Sequence, residues 1–349
     1  MEDLRKHRKH FSRIGFCLLA SALIIEGLRY AVAGIATLFN WTAVNNPDIN
    51  LLLSTVIVYF IGMPAAVLML MGLPAYTPME MAQMQGSRMS APIKLSVGVF
   101  FLHMIITYTL GYTSNFFGVI VSIIIGLIKG DRSLDSATLD ALTDSSMWVI
   151  VLAAVIMAPI LEEYVFRKIL IDRTIKYGQG VSVVVSGLMF GLFHGNFNQF
   201  VYATVVGMFF AYVYVKTGNV KYTMGLHMAM NFMGGVVATG IVKKMLDNPL
   251  LESLYEMTDP EAVMELIATA EGGADIIRMS ILLMMFFAIV AAIVFCGWVL
   301  LIAFARNIRF EAGIVTIPKG QRFKTVILNP GMLLYFTYWI ITIVVLILE

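Results

Sequence analysis

Long apolar segments alternate with short polar ones along most of the chain. Most apolar segments contain about twenty residues or more, and about 20 apolar residues in a helix cross the hydrocarbon core of a bilayer. The predicted fold class is therefore all-α, a polytopic membrane helix bundle of about eight to nine transmembrane helices. The nine predicted crossings lie at residues 14–39, 51–73, 95–128, 147–171, 181–196, 199–215, 222–241, 278–305 and 327–348.

The third segment, 95–128, is longer than a single crossing requires. At a rise of 1.5 Å per residue it would extend about 51 Å, against a hydrocarbon core of about 30 Å. We expect this helix to be tilted, broken near Gly111 to Asn115, or extended beyond the membrane.

The composition agrees with a membrane protein. Hydrophobic residues form 59% of the chain and charged residues 13%, against about 45–50% and about 25% in a typical soluble protein. A net charge of +2 gives no general attraction for nucleic acid, so the lipid bilayer is the expected partner. Cys17 and Cys296 lie far apart in apolar segments, which excludes a disulfide framework or a CxxC metal site.

Basic residues are distributed unequally between alternate loops. The segments 1–13, 75–94, 167–180, 216–221 and 306–326 hold 18 Lys and Arg residues, and the loops 40–50, 129–146 and 242–276 hold 4. Because Lys and Arg concentrate in cytoplasmic loops, we predict a cytoplasmic N-terminus and an outer location for 129–146 and 242–276. The acidic outer loop is expected to form one or two short surface helices at 249–270.

Ionisable side chains within a membrane span cost about 2.5–3.5 kcal/mol each on insertion scales, so they indicate functional sites. The candidates here include two adjacent acids and three histidines. They are Glu26, Arg29, His103, Glu162, Glu163, His194 and His227, with the amide of Asn231 on the same span as His227.

Glu162 and Glu163 point about 100° apart on a helix, so they have different partners. Arg167 follows Glu163 by four residues and can pair with it on one face. Glu162 is then left free to act as a general base. Pro159 removes one helical hydrogen bond and is expected to kink the helix before the acids. As an alternative, Glu163 and Arg167 form a helix-end pair with the Arg side chain at the cytoplasmic surface.

Two further pairs have helical spacing. Phe190 and His194 are four residues apart, as are His227 and Asn231. A single membrane histidine is often only a hydrogen-bond partner between helices. His227 and Asn231 together could donate to an oxyanion, or His227 could bind a metal ion while Asn231 orients it. A carboxylate, two imidazoles and an amide are suited to activating water for amide hydrolysis.

The order Glu-Glu-x-x-x-Arg, Phe-x-x-x-His and His-x-x-x-Asn resembles the CAAX-processing and bacteriocin-processing intramembrane proteases, also called the Abi family. The resemblance covers about residues 147–240. It divides the chain into N-terminal spans at 1–146, a protease core at 147–240, and an acidic loop with C-terminal spans at 241–349. The motif residues are Glu162, Glu163, Arg167, Phe190, His194, His227 and Asn231.

The resemblance implies an endopeptidase whose site lies within the membrane and opens toward the cytoplasm. It implies that Glu162 and His194 activate water, and that His227 with Asn231 stabilises the oxyanion. Zinc held by Glu162, His194 and His227 is one possibility. The chain lacks the His-Glu-x-x-His zinc signature, and we favour a metal-free glutamate and histidine mechanism.

The expected substrate is a peptide or a membrane protein, and the expected location is a prokaryotic plasma membrane. Bacteriocin maturation, self-immunity, peptide signalling and prenyl-protein processing all fit the family. A proton-coupled transporter and a non-catalytic membrane scaffold are the alternatives. For the protease we predict that Glu162, His194, His227 and Asn231 share one water-reachable cavity in the cytoplasmic half of the membrane, with Glu163 and Arg167 at its edge.

Overall fold

The computed structural model describes residues 2–86, 90–129, 143–246 and 270–348. Within these ranges the regular structure is helical and no strand occurs, which confirms the predicted all-α class. In chain order the helices are α1 (Asp3–Leu38), α2 (Pro47–Met71), α3 (Pro78–Gln85), α4 (Val97–Lys129), α5 (Met147–Tyr177), α6 (Gln179–Phe193), α7 (Phe197–Thr217), α8 (Val220–Met245), α9 (Ile277–Ala305), α10 (Lys319–Val326) and α11 (Pro330–Leu348).

Eight of these helices are long and apolar enough to cross a membrane, counted over the described ranges. The predicted crossing at 181–196 is instead the 15-residue helix α6, which extends only about 22 Å at 1.5 Å per residue. Gly195, with φ of +68°, ends α6 in the left-handed region that favours glycine. The Asn196 side chain then accepts from the Gln199 N–H and starts α7.

Helix α4 runs unbroken through Gly111 and Asn115 for 33 residues, or about 50 Å. A break is therefore excluded, and the extra length is taken up by tilt or by extension beyond the membrane. The surface helices predicted at 249–270 fall almost entirely on residues that the structure does not describe.

The predicted inner segments meet at one end of the bundle. There the Gln179 N–H donates to Glu311 O (3.0 Å), the Ile93 N–H donates to Lys216 O (3.0 Å), and His7 Nδ1 lies 3.1 Å from Tyr177 Oη. At the opposite end the Ser146 N–H donates to the Asp48 carboxylate (2.6 Å). The loops therefore group as their charges predict, while the cytoplasmic location of the basic end stays a prediction.

Helices α6 and α7 are in close contact because glycines face the partner helix. A Cβ atom placed on Gly191 would lie 1.9 Å from Thr204 Oγ1, and one on Gly187 would lie 2.8 Å from the Met208 backbone nitrogen. Small residues allow such approach between membrane helices. This contact holds the end of α6, where His194 follows, against α7.

Candidate active site

Helix α5 carries both acids near its middle, and Glu162 lies 15 residues from each end of the helix. The α-helical turn Ala158–Glu163 is flanked by π-helical segments at Val151–Met157 and Tyr164–Ile169. The first of them precedes Pro159, at the place where a kink was predicted. Wider turns of this kind occur frequently at functional sites.

Glu163 and Arg167 form the predicted ion pair, with Arg167 Nε 2.9 Å from Glu163 Oε2. Both side chains are 0% exposed, so the alternative of an Arg side chain at the cytoplasmic surface is wrong. Their predicted location at the edge of the site is also wrong. Arg167 Nη1 donates to Ser186 Oγ (3.0 Å), and the guanidinium lies 4.5 Å from the centre of the Phe190 ring. The pair therefore lies inside the bundle, and Glu163 contacts His227 there.

His227 connects the two acids. Its Nδ1 lies 3.1 Å from Glu163 Oε1, and its Nε2 lies 3.7 Å from Glu162 Oε2. A carboxylate held by Arg167 can only accept, so Nδ1 carries the proton toward Glu163. The second imidazole nitrogen is directed at Glu162, just beyond hydrogen-bond distance.

Glu162 has a partner that sequence reasoning missed. The Tyr59 hydroxyl donates to Glu162 Oε1 at 2.6 Å, which fixes one carboxylate oxygen. Tyr59 lies in the π-helical segment Val56–Gly62 of α2. A phenol within an otherwise apolar stretch was the available signal, since a buried Tyr hydroxyl usually has a hydrogen-bond partner.

His194 directly follows α6, and its Nδ1 lies 2.9 Å from the Phe190 carbonyl oxygen. A carbonyl only accepts, so Nδ1 is the donor and Nε2 keeps a free lone pair. The rings of Phe190 and His194 are edge-on with centroids 4.8 Å apart, which confirms the shared face. His194 is therefore oriented to accept a proton or a hydrogen bond through Nε2.

Glu162 and His194 line one cavity of about 770 Å³. Its walls include residues from α1, α2, α7 and α11. Helices α1, α2 and α11 lie outside the predicted core 147–240. Glu26 and Arg29 of α1 line it as an ion pair with a distance of 2.8 Å. The spans that sequence analysis left without a role thus build much of the cavity.

Of the four residues predicted to share one cavity, Glu162 and His194 line it, whereas His227 and Asn231 do not. His227 lies beside Glu162, and Glu162 and His194 share the cavity. Asn231 lies on the same face of α8 as His227, but its Nδ2 donates to Ala154 O on α5 (2.8 Å). His103 of α4 stacks on Phe209 of α7.

The same contacts bear on whether these side chains could hold a metal ion. Among the described residues, no group of three or more His, Cys, Asp or Glu side chains is arranged to hold a metal ion. His227 Nδ1 is directed at Glu163, which leaves only Nε2 for a ligand. One nitrogen is enough for a metal-binding histidine, whose other nitrogen commonly donates to a carboxylate or a backbone carbonyl. Zinc held by Glu162, His194 and His227 therefore stays a prediction, as does the metal-free mechanism.

The described part of the chain is an all-helical bundle with eight helices long and apolar enough to cross a membrane. A glutamate and a histidine share one of its cavities. Residues 144–233 match the family model described as "Type II CAAX prenyl endopeptidase Rce1-like". A stretch of 99 residues is 31% identical to the "Putative membrane peptidase YdiL" of Bacillus subtilis (strain 168), covering 27% of this chain and 38% of that protein. No solved structure matches the chain.

The matched segment contains all seven motif residues. Residues 144–233 are therefore similar to the CAAX prenyl endopeptidases, which confirms over this segment the resemblance seen in the motifs. The chain spans less than two fifths of the length of the relative that it matches.

Proposed function

We propose that this protein is an intramembrane endopeptidase that hydrolyses a peptide bond of a membrane-associated substrate. The observation that carries the proposal is that the Glu162 carboxylate and His194, whose Nε2 is free, line one cavity. The family match supports the reaction type. The mechanism uses only side chains and water.

In the proposed reaction, a water molecule binds between Glu162 and His194 Nε2. Glu162 accepts a proton while the water oxygen bonds to the peptide carbonyl carbon, and the carbonyl oxygen becomes an oxyanion. Protonated Glu162 then gives that proton to the leaving nitrogen as the C–N bond breaks. One carboxylic acid and one amine result, and the same group serves as base and then as acid.

The other motif residues support this pair. Arg167 holds Glu163, Glu163 accepts from His227 Nδ1, and His227 Nε2 faces Glu162. We propose that this chain of contacts keeps Glu162 in position. His227 Nε2, when protonated, is the oxyanion donor implied by the family, whereas Asn231 already gives one N–H to Ala154.

The proposed substrate is a peptide whose apolar side chains enter the cavity among Tyr30, Tyr338 and Trp339. A prenylated C-terminal peptide is the first substrate to test, because the matched family model is described as a prenyl endopeptidase. We propose a prokaryotic plasma membrane with a cytoplasmic N-terminus. Bacteriocin maturation is a second possible use of the same reaction.

The test uses purified full-length protein in lipid nanodiscs. The probe is an internally quenched peptide that ends in a farnesylated cysteine, two aliphatic residues and one further residue. Glu162→Gln should lower kcat by about 10²–10⁴-fold, the usual contribution of a positioned acid and base. Glu80→Gln is the matched control, because its carboxylate only caps α3 through Thr77.

Cleavage by Glu162→Gln within threefold of the wild type would contradict the proposal. A chelator is added in a separate arm. Activity that survives the chelator supports the metal-free form, and loss restored by Zn²⁺ would overturn that form while leaving the endopeptidase assignment intact.

A further inference from the structure

The turn between α6 and α7 places three polar side chains at one place inside the bundle. His194 and Asn196 lie in this turn, which follows a helix too short to cross the membrane, and Gln199 lies in the first turn of α7. His194 and Gln199 both line the cavity that contains Glu162. The proposed reaction uses His194 but leaves the other two polar side chains without a role.

The same reaction has an incomplete set of donors for the oxyanion. Asn231 gives an N–H to Ala154 O. His227 donates through Nδ1 to Glu163 and has only Nε2 left. Oxyanion sites generally combine two or more preorganised donors, so another donor on the cavity wall is to be expected.

Hydrogen bonds within the turn determine how the Gln199 amide is oriented. The Gln199 backbone N–H donates to Asn196 Oδ1 (2.8 Å), so the other end of the Asn196 amide is its NH₂ group. Asn196 Nδ2 lies 3.0 Å from the Gln199 side chain. The atom that accepts there must be Oε1, and the Gln199 Nε2 group is left pointing away from Asn196.

The Gln199 NH₂ group has no acceptor among the described residues. Its side chain is half-buried and lines the cavity with Glu162 and His194. Asn196 Nδ2 also lies 3.3 Å from the His194 carbonyl oxygen. One asparagine therefore fixes both the backbone at His194 and the amide of Gln199.

We propose that Gln199 Nε2 donates a hydrogen bond to the oxyanion of the tetrahedral intermediate. This inference rests on the proposed endopeptidase function. Gln199 is then a catalytic residue, and Asn196 is a positioning residue that acts through it. A donor fixed before the reaction needs no reorganisation when the negative charge develops, and its loss costs about 10²–10³-fold in kcat at comparable sites.

The experiment compares Gln199→Met, Gln199→Glu and the wild type in nanodiscs with the quenched farnesylated peptide. Methionine keeps the length of the side chain without any N–H. Glutamate keeps the oxygen that accepts from Asn196 but loses the donor. Both should lower kcat by about 10²–10³-fold with KM within threefold of the wild type.

Asn198→Asp is the matched control, because Asn198 lies in the same turn region and its Oδ1 accepts from Ser122 instead. This variant should keep the wild-type kcat. A second readout is inhibition by a peptide phosphinate, whose anionic oxygens resemble the oxyanion. Gln199→Met should weaken phosphinate binding by the same factor as kcat/KM while leaving binding of the uncleaved peptide unchanged, which a merely structural role would not do.

The outcomes separate this inference from the proposed function. If the wild type cleaves the peptide and Glu162→Gln does not, a Gln199→Met kcat within threefold of the wild type overturns the role of Gln199 alone. Equal weakening of phosphinate and peptide binding would also overturn it. Cleavage that is unaffected by Glu162→Gln overturns the proposed function and, with it, this inference.

Discussion

Replacing Arg167 with methionine should destabilise the fold far more than replacing an exposed arginine. Arg167 and Glu163 are both 0% exposed, with a distance of 2.9 Å between Nε and Oε2. Methionine fills much of the same volume but leaves the Glu163 carboxylate without its cation. The Ser186 hydroxyl and the Phe190 ring also lose their contacts with the guanidinium.

The expected magnitude follows from the distance and the burial. Two unit charges 2.9 Å apart attract by about 6 kcal/mol at an effective dielectric constant of about 20. Breaking a buried pair by removing one partner typically lowers the free energy of unfolding by about 3–5 kcal/mol. We expect a loss in that range for Arg167→Met.

A matched control lies in the same molecule. Arg29 and Glu26 are 2.8 Å apart, but the Arg29 side chain is 46% exposed. Exposed pairs contribute about 0–1 kcal/mol, so Arg29→Met should lower the free energy of unfolding by less than about 1 kcal/mol. The two arginine variants thus differ in burial while the ion-pair distance is nearly the same.

The assay is reversible unfolding in mixed micelles, applied to both arginine variants, to Glu163→Gln and to the double variant Glu163→Gln/Arg167→Met. The double variant buries no charge at this place, so it should recover at least half of the loss caused by Arg167→Met. Equal losses for Arg167→Met and Arg29→Met would refute the reasoning. So would a double variant whose loss is the sum of the two single losses.

Tyr59→Phe removes the 2.6 Å hydrogen bond to Glu162 and should lower kcat for the quenched peptide about tenfold or more with KM unchanged. An unchanged kcat would show that this bond does not position the base. Gly191→Ala forces a Cβ into contact with α7 and should lower the free energy of unfolding by about 1–3 kcal/mol, and wild-type stability would contradict the close helix contact. In a cysteine-free background, an impermeant thiol reagent applied to intact cells should label Asn45→Cys but label Arg306→Cys only after permeabilisation. The opposite labelling pattern would reverse the predicted orientation.

Contacts within one helix were the most predictable part of the site. The spacing of four residues placed Arg167 beside Glu163 and His194 beside Phe190, and both contacts occur. Helical geometry is fixed by the backbone, so a sequence offset translates directly into a shared face. The burial of Arg167 was not predictable in this way, because it depends on α6 and α7.

Most contacts between helices could not be predicted from the sequence. Tyr59 and Gln199 reach the cavity through the packing of α2 and α7, which no periodicity within a single helix encodes. The crossing predicted at 181–196 failed for another reason. Its apolar residues have the composition of a membrane span, but Gly195 and Asn196 end one helix and start the next inside the bundle.

The contact between α6 and α11 determines when the cavity is completed during synthesis. A Cβ on Gly195 would lie 2.9 Å from the Trp339 ring, and the Tyr335 hydroxyl donates to the Met189 carbonyl oxygen (2.8 Å). The two partners of each contact lie more than 140 residues apart in the chain. The ribosome therefore translates the His194 turn long before it translates α11. Until that helix inserts, one wall of the cavity is missing and the His194 turn lacks its aromatic support. A partly synthesised chain would therefore carry every motif residue of 147–240 without the closed cavity that the proposed cleavage requires.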